Sequence, residues 1–168
     1  MAAKKYIALV SGILTEIQAL VTSAGAGDDG KLVALDASGK LDNSVMPVGI
    51  GADTAAITAS EALSAGDLVN IWNSTGFKVR KADASTAGKE AHGFVLAAVS
   101  NGATATVYFE GSNTQKSGLS PGPYFLSTTP GAITQTPPST AGQVVQVVGF
   151  ATSATVLNFQ SELPVTLG

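Results

Sequence analysis

The sequence predicts a mainly β protein: a short N-terminal helix, a linker, then an antiparallel β-barrel or β-sandwich. Three observations carry this reading. Short apolar runs recur throughout residues 51–168, divided by Gly, Pro and Asn turns. The pattern switches to a helical period only before residue 24. A glycine- and aspartate-rich stretch at 25–50 separates the two regions, giving three segments: 1–24, 25–50 and 51–168.

In the first segment Ile7, Val10, Leu14, Ile17 and Val21 follow one another at spacings of three, four, three and four. That is the a/d seam of a coiled coil, with Ile13 and Leu20 widening the apolar stripe. These five residues are the candidate oligomerisation residues. The alternative is an amphipathic helix lying on its own domain, since only about two heptads are present. Gly12, inside the pattern, costs a helix about 1 kcal/mol relative to Ala.

Gly25, Gly27 and Gly30 mark the end of the helix and a joint. Residues 31–47 then read as two extended pieces about the turn at 36–39. Asp36 and Asp42 are turn formers there, with weak calcium binding as the alternative.

Beyond Pro47, residues 68–72 and 77–81 flank the turn 73–76 as a hairpin, Phe77 and Val79 alternating with Lys78 and Arg80. Residues 93–99 and 105–110 are joined through Asn101 and Gly102, a dipeptide suited to a tight hairpin because both positions tolerate positive φ. Two further pairs of runs, 124–127 with 132–135 and 143–150 with 155–159, complete the domain.

Composition limits function. Apolar residues make up 45% of the chain but charged residues only 12%, so the surface is either coated with uncharged polar side chains or partly hidden against other copies. No charge falls between Lys116 and Glu162, although sheet edges normally carry charge, which again favours oligomerisation. A net charge of −3 disfavours nucleic acid and anionic membrane as partners. No stretch resembles a signal peptide or a membrane span, which gives the expectation of a product made in the cytoplasm.

No catalytic constellation is evident. His92 is the only histidine and there is no cysteine, so neither a His-rich zinc site nor a Cys/His pair can be built. The acidic residues form no recognised metal motif, and the glycine-rich stretch follows a helical pattern instead of opening one. The chain is therefore expected not to be an enzyme and to need no cofactor or metal. The basic cluster Lys78, Arg80 and Lys81 reads as the solvent face of a hairpin or as a contact for an acidic partner.

Several segments resemble known proteins. The connector GKLVALDASGKLDNSVMP at 30–47 is similar to one found in tailed-bacteriophage head-fibre and tail-fibre proteins. The strings AGDLV at 65–69, FKVRKADA at 77–84 and AHGFV at 91–95 resemble small phage capsid decoration, or cement, domains. Residues 122–131 and 144–151 resemble β-domains of virion appendages. The resemblance implies a homotrimeric virion structural protein on the capsid exterior, bound to the major capsid protein at threefold or quasi-threefold positions. The alternative it implies is a glycan- or receptor-binding module of a tail fibre, with Trp72, Tyr108 and Tyr124 as the aromatic platforms for a host-surface glycan.

Overall fold

The computed structural model describes residues 4–46 and 51–168. The end of the connector expectation, Pro47 to Ile50, lies outside the described residues. The chain divides into two compact units, Met1–Gly51 and Ala52–Gly168. Mainly β character is what the structure shows; among the described residues there is no α-helix, only 3-10 turns at Ala26–Asp28 and Asn43–Val45.

The expected N-terminal helix is a β-hairpin. Strands β1 (Lys5–Val10) and β2 (Ile13–Gln18) pair antiparallel from Val10↔Ile13 at the turn to Lys5↔Gln18 at the base. Ser11 and Gly12 form the turn with φ of 51° and 85°, and two successive positive φ values are what a two-residue hairpin turn with the strand twist requires. Gly12, a defect in the helical reading, is thus the residue that decides against it. Five of the twelve strand residues, Ile7, Val10, Ile13, Thr15 and Ile17, are β-branched and fit a pleated surface better than a helix.

The rest of the first unit is built on short local bonds. Leu20 and Val33 form an isolated parallel bridge. The Asp36 carboxylate accepts from the N–H groups of Ser38 (2.8 Å) and Lys40 (2.9 Å), and Asp42 accepts from Ser44 N–H at 2.9 Å. These bonds hold both carboxyls below the usual range and use them as turn formers.

The second unit contains two larger sheets and one small one. Strands β3 (Thr54–Ala59), β4 (Leu68–Asn73), β5 (Phe77–Lys81), β6 (Gly93–Phe94) and β7 (Thr104–Tyr108) close on one another in the order β3-β5-β4-β6-β7. The ring is mixed, because β3 runs parallel to β5. The expected N-terminal helix is corrected outright, and the expected antiparallel barrel or sandwich is corrected where β3 and β5 run parallel. Strands β8 (Gly111–Asn113), β9 (Pro123–Leu126), β10 (Ile133–Thr134), β12 (Val147–Ser153) and β13 (Val156–Phe159) make an antiparallel sheet in the order β10-β9-β12-β13-β8. Two short strands, β11 (Val144–Val145) and β14 (Val165–Thr166), pair separately.

The hairpin expected through Asn101 and Gly102 is also corrected. The turn forms, with Gly102 at φ 82°, but β7 pairs along its length with β3 and meets β6 only at Phe94↔Tyr108. Val99 instead bridges to Leu63.

Small residues fill the ring: Ala59, Val69, Val79, Ala105 and Val107 are fully buried with Leu63 and Val95. A second core joins the ring to the open sheet through Leu68, Phe94, Leu126, Leu157 and Phe159. The Phe94 ring stacks on Tyr108 at 5.4 Å and tilts against Phe159 at 5.5 Å. Among the described residues no buried side-chain polar atom lacks a partner.

Candidate functional site

Of the two units only the first lacks a core: none of residues 4–46 is buried. Ten large apolar side chains of this unit are exposed, among them Leu14 at 75%, Ile7 at 71%, Ile13 at 69% and Leu9 at 68%. The candidate site is therefore the hairpin and the apolar residues that follow it, Leu32, Val33, Leu35 and Leu41.

The hairpin register divides these residues between two faces. Lys5, Ile7 and Leu9 share one face with Gln18, Glu16 and Leu14, whereas Tyr6, Ala8 and Val10 share the other with Ile17, Thr15 and Ile13. The expected oligomerisation residues are consequently not one seam. Ile7 and Leu14 lie on the first face, Val10 and Ile17 on the second, and Val21 falls beyond the hairpin. A spacing of three and four alternates odd and even positions, so a helical stripe becomes a two-faced strand pattern. Leu9 and Ile13, the cross-strand partners of Leu14 and Val10, are the residues the helical reading undervalued.

Towards its base the hairpin is polar and partly covered. Lys5 and Glu16 form an ion pair, Tyr6 and Ile17 are half-buried, and the Tyr6 hydroxyl accepts the Leu32 N–H at 3.4 Å. The tip is different. Leu9, Val10, Ile13 and Leu14 surround the turn and are exposed on both faces.

In the second unit Arg80 and Lys81 of the basic cluster are engaged within the fold, while Lys78 makes no ion pair among the described residues. Arg80 lies over the Trp72 ring, 4.4 Å from its centroid, donates to Asn70 Oδ1 at 3.0 Å and to the Gly88 carbonyl at 2.7 Å. Trp72 Nε1 donates to Ser60 Oγ at 3.0 Å. Lys81 pairs with Asp67 at 3.5 Å and Lys89 with Asp83 at 3.4 Å. Burial pushes the Asp83 carboxyl up, but the Ser85 hydrogen bonds and Lys89 outweigh it and hold the group below the usual range. Trp72, Arg80, Lys81, Asp83 and Lys89 border a cavity of about 280 Å³ with Glu61, its three cationic side chains set against two carboxylates.

His92 makes a structural bond. Its Nδ1 accepts the Ile71 N–H at 3.0 Å, while the His92 main-chain N–H donates to the Val69 carbonyl at 2.8 Å. Burial pushes its pKa below the usual histidine range, with Glu90 opposing, and it is the neutral ring whose Nδ1 accepts the bond. Among the described residues no group of three or more His, Asp and Glu side chains is placed to hold a metal ion.

The aromatic platforms expected for a glycan are not available as such. Tyr124 is buried, its hydroxyl accepting the Ser120 N–H and donating to the Ser120 carbonyl. Tyr108 stacks on Phe94, and Arg80 covers Trp72. Phe77, expected on the covered face of its hairpin with Val79, is instead 82% exposed.

Comparison with protein-family models, with curated proteins and with solved structures finds no match to this chain. Nothing found there ties it to bacteriophage virions. The expected capsid-decoration or tail-fibre role was what the resemblance implied, which no comparison supports, and the trimeric coiled coil that went with it is overturned by the hairpin that replaces the helix.

Proposed function

We propose that this chain is a non-catalytic structural protein that assembles with copies of itself through its N-terminal unit, leaving the second unit as an independently cored module. The observation that carries this reading is the hairpin tip, apolar and exposed on both faces in a unit none of whose described residues 4–46 is buried.

Fixing each backbone residue costs about 1–2 kcal/mol, and a lone two-stranded hairpin is marginal in water. A unit with no core of its own gains its order when a further surface covers it. The ten exposed side chains present on the order of 1,000 Å² in all, divided between the two hairpin faces and the residues that follow, a total close to what each partner contributes to a stable interface.

Copies of the same chain suit the site better than one flat partner. A single partner covers one face of the hairpin; a closed ring of copies covers both, because face one of each subunit meets face two of the next. The apolar tip brings no like charges together, and Lys5 and Glu16 neutralise each other within one chain.

Light scattering coupled to size-exclusion chromatography on the full chain tests this. The expected mass is a small multiple of 16.7 kDa. L9S/L14S and V10S/I13S, one pair on each face, should each reduce it. A monomeric wild type at tens of micromolar would overturn the proposal, and a ring in which only one face matters would reduce it to a twofold contact.

A further inference from the structure

Glu162 carries the only charged side chain in residues 117–168, and it borders an apolar pocket. The pocket holds about 390 Å³, within the range of small-ligand sites. Pro123, Val147 and Phe150 line it, with Gly149 among them.

The β-sheet explains why the pocket exists. Strands β9 and β12 shift register between Val147 and Gly149, and Phe150 emerges opposite Pro123 just past that irregularity, 48% exposed. Gly149 has φ 134°, and a Cβ there would lie 2.0 Å from the Asn158 carbonyl oxygen, so the pocket wall at this point is bare backbone. The position of Glu162 is fixed by its main chain: its N–H donates to the Val147 carbonyl at 2.9 Å and its carbonyl accepts from Gln146 Nε2 at 3.3 Å.

The Glu162 carboxylate itself has no ion-pair partner among the described residues; the four ion pairs use Glu16, Asp28, Asp67 and Asp83. A carboxylate and an exposed aromatic ring beside an apolar cleft match one chemistry. The ring attracts a cation to its face, the carboxylate complements the charge, and Pro123 and Val147 accept an apolar body.

We propose that this pocket binds an organic cation, an alkylammonium or guanidinium group borne on an apolar body. The cation is supplied either by a free amine or by a Lys or Arg side chain. The site lies wholly in the second unit, so it stands or falls separately from self-assembly.

The test is titration of the isotopically labelled full chain, following the amide signals of Val147, Gly149 and Glu162. Four probes are used: n-butylammonium, the N-acetyl methylamides of lysine and arginine, and n-butanol as the neutral isostere. Saturable shifts at millimolar concentrations are expected with the cations, and binding of butanol at least about fivefold weaker. E162Q should weaken the cations about fivefold and leave butanol unchanged. Tighter binding of either amino-acid derivative than of butylammonium assigns a side chain of a partner as the source, and tighter binding of butylammonium a free amine. Equal binding of butanol, an E162Q variant with unchanged cation affinity, or no shifts at tens of millimolar would overturn the proposal.

Discussion

Gln146 reads the main chain of Ala91 in both directions: its Oε1 accepts the Ala91 N–H at 2.8 Å and its Nε2 donates to the Ala91 carbonyl at 2.9 Å. A side-chain amide thereby takes the place of a neighbouring strand between the ring and the open sheet. Gln146 is only 3% exposed and its Nε2 also donates to the Glu162 carbonyl, so truncation takes a partner from three main-chain groups, the two of Ala91 in a buried site. Q146L is expected to lose about 2–4 kcal/mol in urea unfolding. Q146E, which keeps the shape but not the donor, should be destabilised too.

Gly149 should tolerate no side chain. A Cβ at 2.0 Å from the Asn158 oxygen meets backbone, which cannot rotate away, and the φ of 134° is unfavourable for any L-residue. G149A is expected to cost on the order of 3 kcal/mol or more, seen as a large fall in melting temperature or loss of soluble protein. G27A, at a glycine with open space where a Cβ would go and no positive φ, should be nearly neutral.

Acidification should weaken the fold through His92. Its folded-state pKa is depressed below the ordinary 6.5, so the unfolded chain takes up the proton first. The stabilisation is present above the unfolded value and is lost as pH falls through the folded value. Urea midpoints should decline between pH 7.5 and 5.5 in the wild type. H92N should flatten that decline, and an equal slope in both proteins would contradict the role assigned to the Ile71 N–H bond.

Arg80 should not be replaceable by Lys. Its guanidinium satisfies Asn70, which is 1% exposed, while covering the Trp72 ring. Lys cannot reproduce the planar fork and the stack together. R80K is expected to cost about 1–3 kcal/mol, and Trp72, the only tryptophan, should report the loss as a change in fluorescence.

Turn chemistry was the most legible part of the sequence. The glycine-bearing turns at 73–76, 101–102 and 128–131 all form, because their backbone needs are local and the residues meet them on their own. Pairing was harder to see. Residues Thr54–Ala59, mostly Ala and Thr, carry too weak an apolar alternation to announce a strand, and their partners β5 and β7 are distant in sequence. The N-terminal segment misled for a different reason. When both faces of a strand pair are apolar, a subset of positions can satisfy a helical period, and only the Ser11-Gly12 turn distinguishes the two structures. The candidate site was legible as an apolar segment but not as a surface: the sequence contains Leu9 and Ile13, yet only the register shows them beside Leu14 and Val10.

The placement of β3 between β5 and β7 also bears on biosynthesis. This strand leaves the ribosome before either neighbour, and Thr104–Tyr108 follows it by some fifty residues. Until β7 follows, the edge of β3 that it will join has no mate in the ring, and β5 meets the strand only at Thr58 and Ala59. A run of Val and Ile there would invite pairing with other nascent chains, whereas Thr-Ala-Ala-Ile-Thr-Ala has little sticking power of its own. The weak signal that hid this strand in the sequence is, for the growing polypeptide, a safeguard while it waits.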